Sequence, residues 1–243
     1  MRRNASVFAL AALLIFTAGS PAFAQTRVYA GAQALLLTGT HTDVAGSQHG
    51  IAGGAILQAG VQGRRVALRL EGIPPVSLPQ KPSAFYGQAT PRFSLIDGAV
   101  RFAVDPQAHW WIGAGATVIN QRTPLPKLNQ VVGSRLAGVR YVARYRTAMT
   151  RSSHFGEAMF GVAPSLWGTD HFTYSDGNPQ VNKDEFASEL DAYAALGYRV
   201  RNTEWLFGLR ALNFSAKFTR DNSAGDRNVG IGAMIEWRRV LRP

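Results

Sequence analysis

Hydrophobic and polar residues alternate one by one along much of this chain. The segment RRVALRLEG (Arg64–Gly72) shows this most clearly, because every second residue from Val66 to Leu70 is apolar. In a helix these apolar side chains would spread around the axis, whereas in a strand they lie on one face. The segment therefore predicts a β-strand with one apolar face and one charged face.

Ten segments of this kind predict ten strands, joined alternately by four short turns and five longer polar loops. The predicted strands are Val28–Leu37, Ile51–Val61, Arg64–Gly72, Arg92–Val104, Trp110–Gln121, Ser134–Thr147, His154–Trp167, Phe186–Val200, Thr203–Phe218 and Asn228–Leu241. Membrane barrels have short periplasmic turns and longer external loops, a rule that soluble sandwiches have no reason to follow. The pattern predicts an all-β fold: one antiparallel, up-and-down transmembrane β-barrel with both termini periplasmic.

The aromatic residues of the predicted strands follow the same alternation. Six of them point away from the charged face, and each lies near a short turn or near the C-terminus. They are Phe102, Trp110, Tyr145, Tyr198, Trp205 and Trp237. Ordinary core aromatics of a soluble sheet would have no reason to track the turns. We therefore expect an aromatic girdle at the periplasmic interface, with the apolar faces of the strands in lipid.

The charged faces of the strands then line the interior of the barrel. A two-residue turn places Arg199 opposite Glu204. A turn centred near Thr150 places Arg144 opposite Glu157. The predicted lumen charge network is Arg65, Arg69, Glu71, Arg140, Arg144, Glu157, Glu189, Asp191, Arg199, Glu204, Arg210, Glu236 and Arg238.

Two places break the alternation and predict β-bulges, one at Ile96–Gly98 and one at Asn213–Lys217. Barrels of about eight strands are just filled by their own side chains. Ten strands lined with long arginines should therefore leave at most a narrow, interrupted passage, which argues against a wide porin.

The N-terminus has the composition of a secretory signal peptide, with two arginines before an apolar run from Val7 to Thr17 and a small-residue cleavage motif ending at Ala24. We expect residues 1–24 to be removed and residues 25–243 to form one barrel domain in the bacterial outer membrane. The chain has no cysteine, so disulfides cannot hold this domain together.

The chain is strongly basic, with 26 basic and 15 acidic residues and a formal net charge of +11. Its arginines are spread along strands, and an exported protein has little access to nucleic acid, so no nucleic-acid partner is expected. Anionic envelope surfaces such as lipopolysaccharide phosphates are a better match. The expected partners are outer-membrane lipid and lipopolysaccharide.

The last predicted strand contains GAMIEW, in which Gly232, Ile235 and Trp237 stand at the spacing of a barrel-assembly signal. On this motif and the strand pattern, the chain resembles bacterial outer-membrane β-barrel proteins over essentially all of its mature length. The resemblance implies recognition by the barrel-assembly machinery.

Catalytic alternatives remain open on this scaffold. The chain is similar in size and strand number to the omptin proteases, which use acidic residues and a histidine at the external rim, and Asp170-His171 and the nearby pair His41 and Asp43 lie in predicted external loops. Lipid A deacylases use a serine and a histidine that face lipid, and Ser152, Ser153 and His154 are the nearest candidates, although they lie in a predicted periplasmic turn. Solvated loop polarity is the simpler explanation of the Asp/His set, and the periplasmic position of the Ser/His set ranks a lipid hydrolase below the protease.

No cofactor and no metal are expected, because the five histidines have no ligand-like spacing and no cysteines accompany them. The sequence favours a small, non-enzymatic envelope barrel with an ion-paired, largely filled lumen and a structural or surface-interaction role. A narrow anion-preferring channel is the second hypothesis, and an omptin-like protease or lipid hydrolase at the rim is the third.

Overall fold

Ten antiparallel strands close into a barrel in the structure, a computed structural model that describes residues 26–43, 46–77, 92–173, 179–218 and 225–242. Each strand pairs with its neighbours in sequence, and the first strand pairs with the last. The strands are β1 (Arg27–Asp43), β2 (Gly46–Gln62), β3 (Val66–Ser77), β4 (Arg92–Ala103), β5 (Trp110–Leu125), β6 (Gln130–Arg146), β7 (His154–Thr173), β8 (Pro179–Val200), β9 (Thr203–Phe218) and β10 (Gly225–Arg242). The predicted ten-stranded up-and-down barrel is confirmed, whereas the predicted signal peptide lies outside the described residues.

The two faces of the wall differ as the alternation requires. Large apolar side chains such as Leu57 and Ile96 are more than half exposed on the outer face, while their neighbours in sequence are buried in the lumen. An apolar outer belt of this extent is stable in lipid and a liability in water. No helix among the described residues is long and apolar enough to cross a membrane.

The barrel has two unlike ends. At the short-turn end, residues 63–65, 104–109, 147–153 and 201–202 connect the strands. At the other end, called the far end below, the strands run further than predicted. The predicted loop after Leu37 is mostly strand, since β1 continues to Asp43 and β2 begins at Gly46. These extensions were not predicted because strands that leave the bilayer no longer need an apolar face, and their sequence therefore loses the alternation of apolar and polar residues.

The cross-strand register agrees with one predicted pairing and corrects another. Arg199 lies opposite Glu204 across a two-residue turn, as predicted. In the β6–β7 hairpin, however, Arg146 and not Arg144 lies opposite Glu157, because the turn contains seven residues. The predicted register was wrong by two residues, a shift that leaves every side chain on its predicted face.

The two predicted bulges are absent. Pairing continues without a shift through Ile96–Gly98 and Asn213–Lys217. Extra residues occur instead at Pro74-Pro75 in β3 and at Pro164-Ser165 in β7. Proline has no N–H to donate to the neighbouring strand, so the regular hydrogen bonding between strands is interrupted at these prolines.

The lumen as candidate functional site

Twelve of the thirteen predicted lumen charges point into the barrel, and eleven of these are buried. The exception is Arg65, for which the prediction of a lumen position was wrong. Because β3 begins only at Val66, Arg65 lies in the preceding turn, exposed, and donates a hydrogen bond to the Asp105 carbonyl at 3.1 Å.

Two arginines organise the half of the network nearer the far end. Arg140 bonds Asp191 at 2.6 Å, contacts Asp97 directly and lies 3.4 Å from Glu189. Arg210 makes a two-pronged contact with the Asp191 carboxylate, at 2.8 and 2.6 Å. Such paired, charge-assisted bonds fix geometry as well as contributing energy. These residues come from β4, β6, β8 and β9, so the contacts tie the wall together across the lumen.

Glu157 organises the other half of the network. Its carboxylate accepts hydrogen bonds from Arg144 at 2.6 Å, from Arg238 at 2.9 and 2.7 Å, and from the Tyr193 hydroxyl at 2.6 Å. Arg69 joins the two halves, since it bonds Glu71 and also donates to the Tyr193 hydroxyl at 3.1 Å. The charges therefore form one connected network.

The network continues to the short-turn end and to the closing strand. Glu204 accepts hydrogen bonds from Arg146 at 2.8 and 3.1 Å and from Arg199 at 3.0 Å. On β10, Glu236 contacts Arg238 directly. The ion pairs thus reach from the middle of the barrel to the short turns.

An apolar ring lies on the far-end side of the charges. Each strand contributes one buried apolar side chain, which lies on the far-end side of the described lumen charges on those strands that carry any. The ring consists of Leu35, Ile56, Ile73, Leu95, Ile119, Leu136, Leu166, Ala187, Phe214 and Met234. All ten belong to one contact cluster and are almost inaccessible to solvent. The lumen therefore has an apolar ring toward the far end and, in series with it, an ionic network among which further members of the same apolar cluster, such as Met159 and Leu206, are packed.

Sequence reasoning missed several of these residues. The bulge predicted at Ile96–Gly98 hid the inward position of Asp97. It also hid that of Phe93, which packs against Phe214 with 6.1 Å between ring centroids. Tyr193 was overlooked because only ionised groups were followed. These residues could have been assigned to the lumen from the sequence if strict alternation of inward and outward side chains had been applied along the whole of β4 and β8.

A cavity of about 490 Å³ opens at the short-turn end. Four arginines line it, Arg27, Arg64, Arg146 and Arg199, and its inner end is lined by Trp111. No carboxylate is among the described residues that line it. Positive charge concentrated in a cleft raises the local concentration of anions.

The neighbouring β4–β5 turn is held by Asp105. Desolvation acts to raise the pKa of Asp105, but hydrogen bonds from the backbone N–H groups of His109 and Trp110 outweigh it and lower the pKa below its ordinary value. Asp105 therefore remains an ionised acceptor that closes the turn.

The six predicted girdle residues lie on the outer face near the short-turn end. Trp110 and Tyr145 are cross-strand partners with ring centroids 4.6 Å apart, and Trp205 lies opposite both Tyr198 and Trp237. Phe102 is also exposed on the outside. The proposed assembly residues lie on β10, with Ile235 and Trp237 outward and Gly232 paired with Leu37 of β1.

The candidate catalytic groups do not assemble into a described site. Asp170 and His171 belong to strand β7, and their side chains, like those of His41 and Asp43, lie outside the described residues. His154 Nδ1 lies 3.1 Å from the Ser152 hydroxyl, but this is a contact within an exposed turn, and the described contacts of His154 include no carboxylate. No cluster of potential metal ligands occurs among the described side chains.

Comparison with known proteins identifies the fold. The outer-membrane protease OmpT from Escherichia coli superposes with a TM-score of 0.51 at 11% identity, over 92% of this chain and 99% of OmpT. The fold is that of an outer-membrane β-barrel. Neisserial surface protein A gives a TM-score of 0.40 at 11% identity, covering 88% of this chain and 97% of its own, and the toluene transporter TodX of P. putida gives 0.34 at 10%, covering 90% of each. At these identities the likeness shows the fold alone.

No family model and no curated protein matches the sequence. The function must therefore be argued from the lumen and the outer wall.

Proposed function

We propose that this protein is a sealed outer-membrane barrel that acts as a structural or surface-interaction component of the cell envelope. The observation that carries the proposal is the pair of barriers in series within the lumen. The apolar ring excludes ions because it offers no hydrogen-bond partner. The ionic network beyond it fills the remaining space with paired side chains, each held from several strands.

Reconstitution into planar bilayers tests the seal. The folded protein should show no steady ionic conductance, while a general porin added to the same bilayer should conduct and so show that the method works. Heat-modifiable migration in detergent should confirm that the inserted protein is folded. A stable, anion-selective open state would contradict the proposal.

Such an open state is the prediction of the second hypothesis, a narrow anion-preferring channel. The arginine-lined cavity at the short-turn end favours it, since this cavity would collect anions at one entrance. We place it second because the apolar ring stands between this entrance and the far end. A rim protease or lipid hydrolase remains third and has no assembled site among the described residues.

A basic patch on the outer wall supports contact with phosphate-bearing lipid. Arg92 and Arg122 lie directly opposite each other on β4 and β5, and both point outward near the far end. Arg135 of β6 is exposed on the same face, opposite Asn120. Like charges directly opposite each other destabilise a sheet unless an anion lies between them. Lipopolysaccharide phosphates would supply that anion, which would orient the far end outward and the termini toward the periplasm.

Removing this patch should weaken the response to anionic lipid. We expect the double variant Arg92→Gln, Arg122→Gln to lose most of the thermal stabilisation that wild-type protein gains when lipopolysaccharide is added to detergent micelles. Arg239→Gln is the matched control, because Arg239 is an outward, exposed arginine at the short-turn end. Equal stabilisation of all three proteins would count against the patch as the lipid contact.

We also propose that the barrel-assembly machinery recognises Gly232, Ile235 and Trp237 in the last strand.

A further inference from the structure

Arg101 is a buried arginine without an acceptor for its hydrogen bonds. It lies on β4, points into the lumen and is 1% exposed. None of its three guanidinium nitrogens has a hydrogen-bond partner among the described residues. Its strongest ionisable neighbours are the Tyr29 and Tyr193 hydroxyls and two further cations, Arg144 and Arg69. A full positive charge is thus buried beside other positive charges.

A comparison of the charged side chains in the lumen also singles out Arg101. Apart from Arg27, which is exposed at the open short-turn end, eight arginines and seven carboxylates point into the lumen among the side chains that the structure describes. The arginines are Arg69, Arg101, Arg140, Arg144, Arg146, Arg199, Arg210 and Arg238, and the carboxylates are Glu71, Asp97, Glu157, Glu189, Asp191, Glu204 and Glu236. Every one of these arginines except Arg101 lies within ion-pair distance of a carboxylate. Within the buried part of the lumen, Arg101 is therefore the one described arginine that has no carboxylate at ion-pair distance.

A small cavity adjoins Arg101. Its volume is about 20 Å³, and it is lined by Arg101, Arg69 and Arg140 together with Glu71, Asp97 and three apolar side chains. The two carboxylates are already held, Glu71 by Arg69 and Asp97 by Arg140. The Nε groups of Arg69 and Arg140 have no described partner. The residues that line the cavity thus include N–H donors without a described partner and carry an excess of positive charge.

We propose that this cavity binds one small monovalent anion of the halide class, chloride under cellular conditions, with the Arg101 guanidinium as its main ligand. A space of this size has room for a single water molecule or a single monatomic ion, and none for the four oxygens of phosphate or sulfate. Water alone would satisfy hydrogen bonds but would leave a buried charge uncompensated, which is strongly unfavourable. The strand pairing makes room for the arginine, because a Cβ at Gly113 would lie 2.8 Å from Arg101 Cγ. The bound ion is a structural part of the lumen and does not depend on whether the barrel conducts.

Thermal unfolding of the folded, full-length mature barrel in detergent tests the site. The unfolding midpoint should rise by a few degrees as sodium chloride replaces sodium gluconate at constant ionic strength, and the rise should saturate, because only the folded state holds the ion. Arg101→Met should abolish this dependence. In gluconate the variant should be at least as stable as wild type, since it removes a buried unpaired charge. Arg199→Gln, which alters a paired arginine, should keep the chloride dependence.

Crystals grown in sodium bromide supply a second readout that needs no variant. An anomalous bromide peak within hydrogen-bond distance of the Arg101 guanidinium would support the proposal. An ordered water at that position, with no bromide, would overturn it. A chloride dependence that is the same in wild type and Arg101→Met would overturn it as well, because the ion would then act elsewhere.

Discussion

Glu157→Gln should destabilise the barrel by roughly 3–5 kcal/mol, the range for breaking a buried charge pair by removing one partner. The substitution keeps the shape of the side chain but removes the negative charge that Arg144 and Arg238 share. Because both guanidiniums are buried, neither can recover the lost interaction from bulk water. Urea unfolding in detergent, followed by tryptophan fluorescence, measures the change.

The matched control is Asp105→Asn, the same chemical change in an exposed turn outside the lumen, where a much smaller loss is expected. A loss in Glu157→Gln no greater than that of the control would mean that the charge of Glu157 contributes little to stability.

A double-mutant cycle tests whether Glu157 and Arg144 act as partners. Arg144→Gln placed in the Glu157→Gln background should partly restore stability, because it removes a cation that the first substitution left unpaired. Contacting pairs in one network commonly couple by about 0.5–3 kcal/mol. Strictly additive effects would show that the 2.6 Å contact between the two side chains carries no net energy.

The sequence was sufficient for the number and order of the strands, for most of their faces and for one lumen pair. Strict alternation locates the strands, because a membrane wall needs an apolar outer face at every second residue. The Arg199–Glu204 pair follows from a two-residue turn, which leaves only one register. The seven-residue turn after Arg146 fixes no register in advance, and that hairpin was accordingly misplaced by two residues.

Contacts across the lumen could not be predicted in the same way. Arg140 on β6 meets Asp97 on β4, Arg210 on β9 meets Glu71 on β3, and these pairs join strands that are not neighbours. Their heights along the axis depend on the registers of all the intervening strands together, and on bulges such as the one at Pro164-Ser165. For the same reason the apolar ring, one residue from each strand, becomes visible only when the closed barrel is built.

Leu209→Arg should destabilise the barrel by roughly 2–4 kcal/mol, because it places a charge in the lipid at mid-depth. Leu209 is 58% exposed on the outer face of β9 and precedes Arg210, which lies in the ionic network at the middle of the wall. Leu241→Arg is the matched control, since Leu241 is 61% exposed but stands at the end of β10, where it lies next to the interface. There the same substitution should cost about 0–1 kcal/mol. Unfolding in lipid vesicles measures both variants. Equal losses of stability at the two sites would contradict the placement of Leu209 in the hydrocarbon core of the bilayer. If both substitutions were tolerated, the barrel would instead be one that is stable in water.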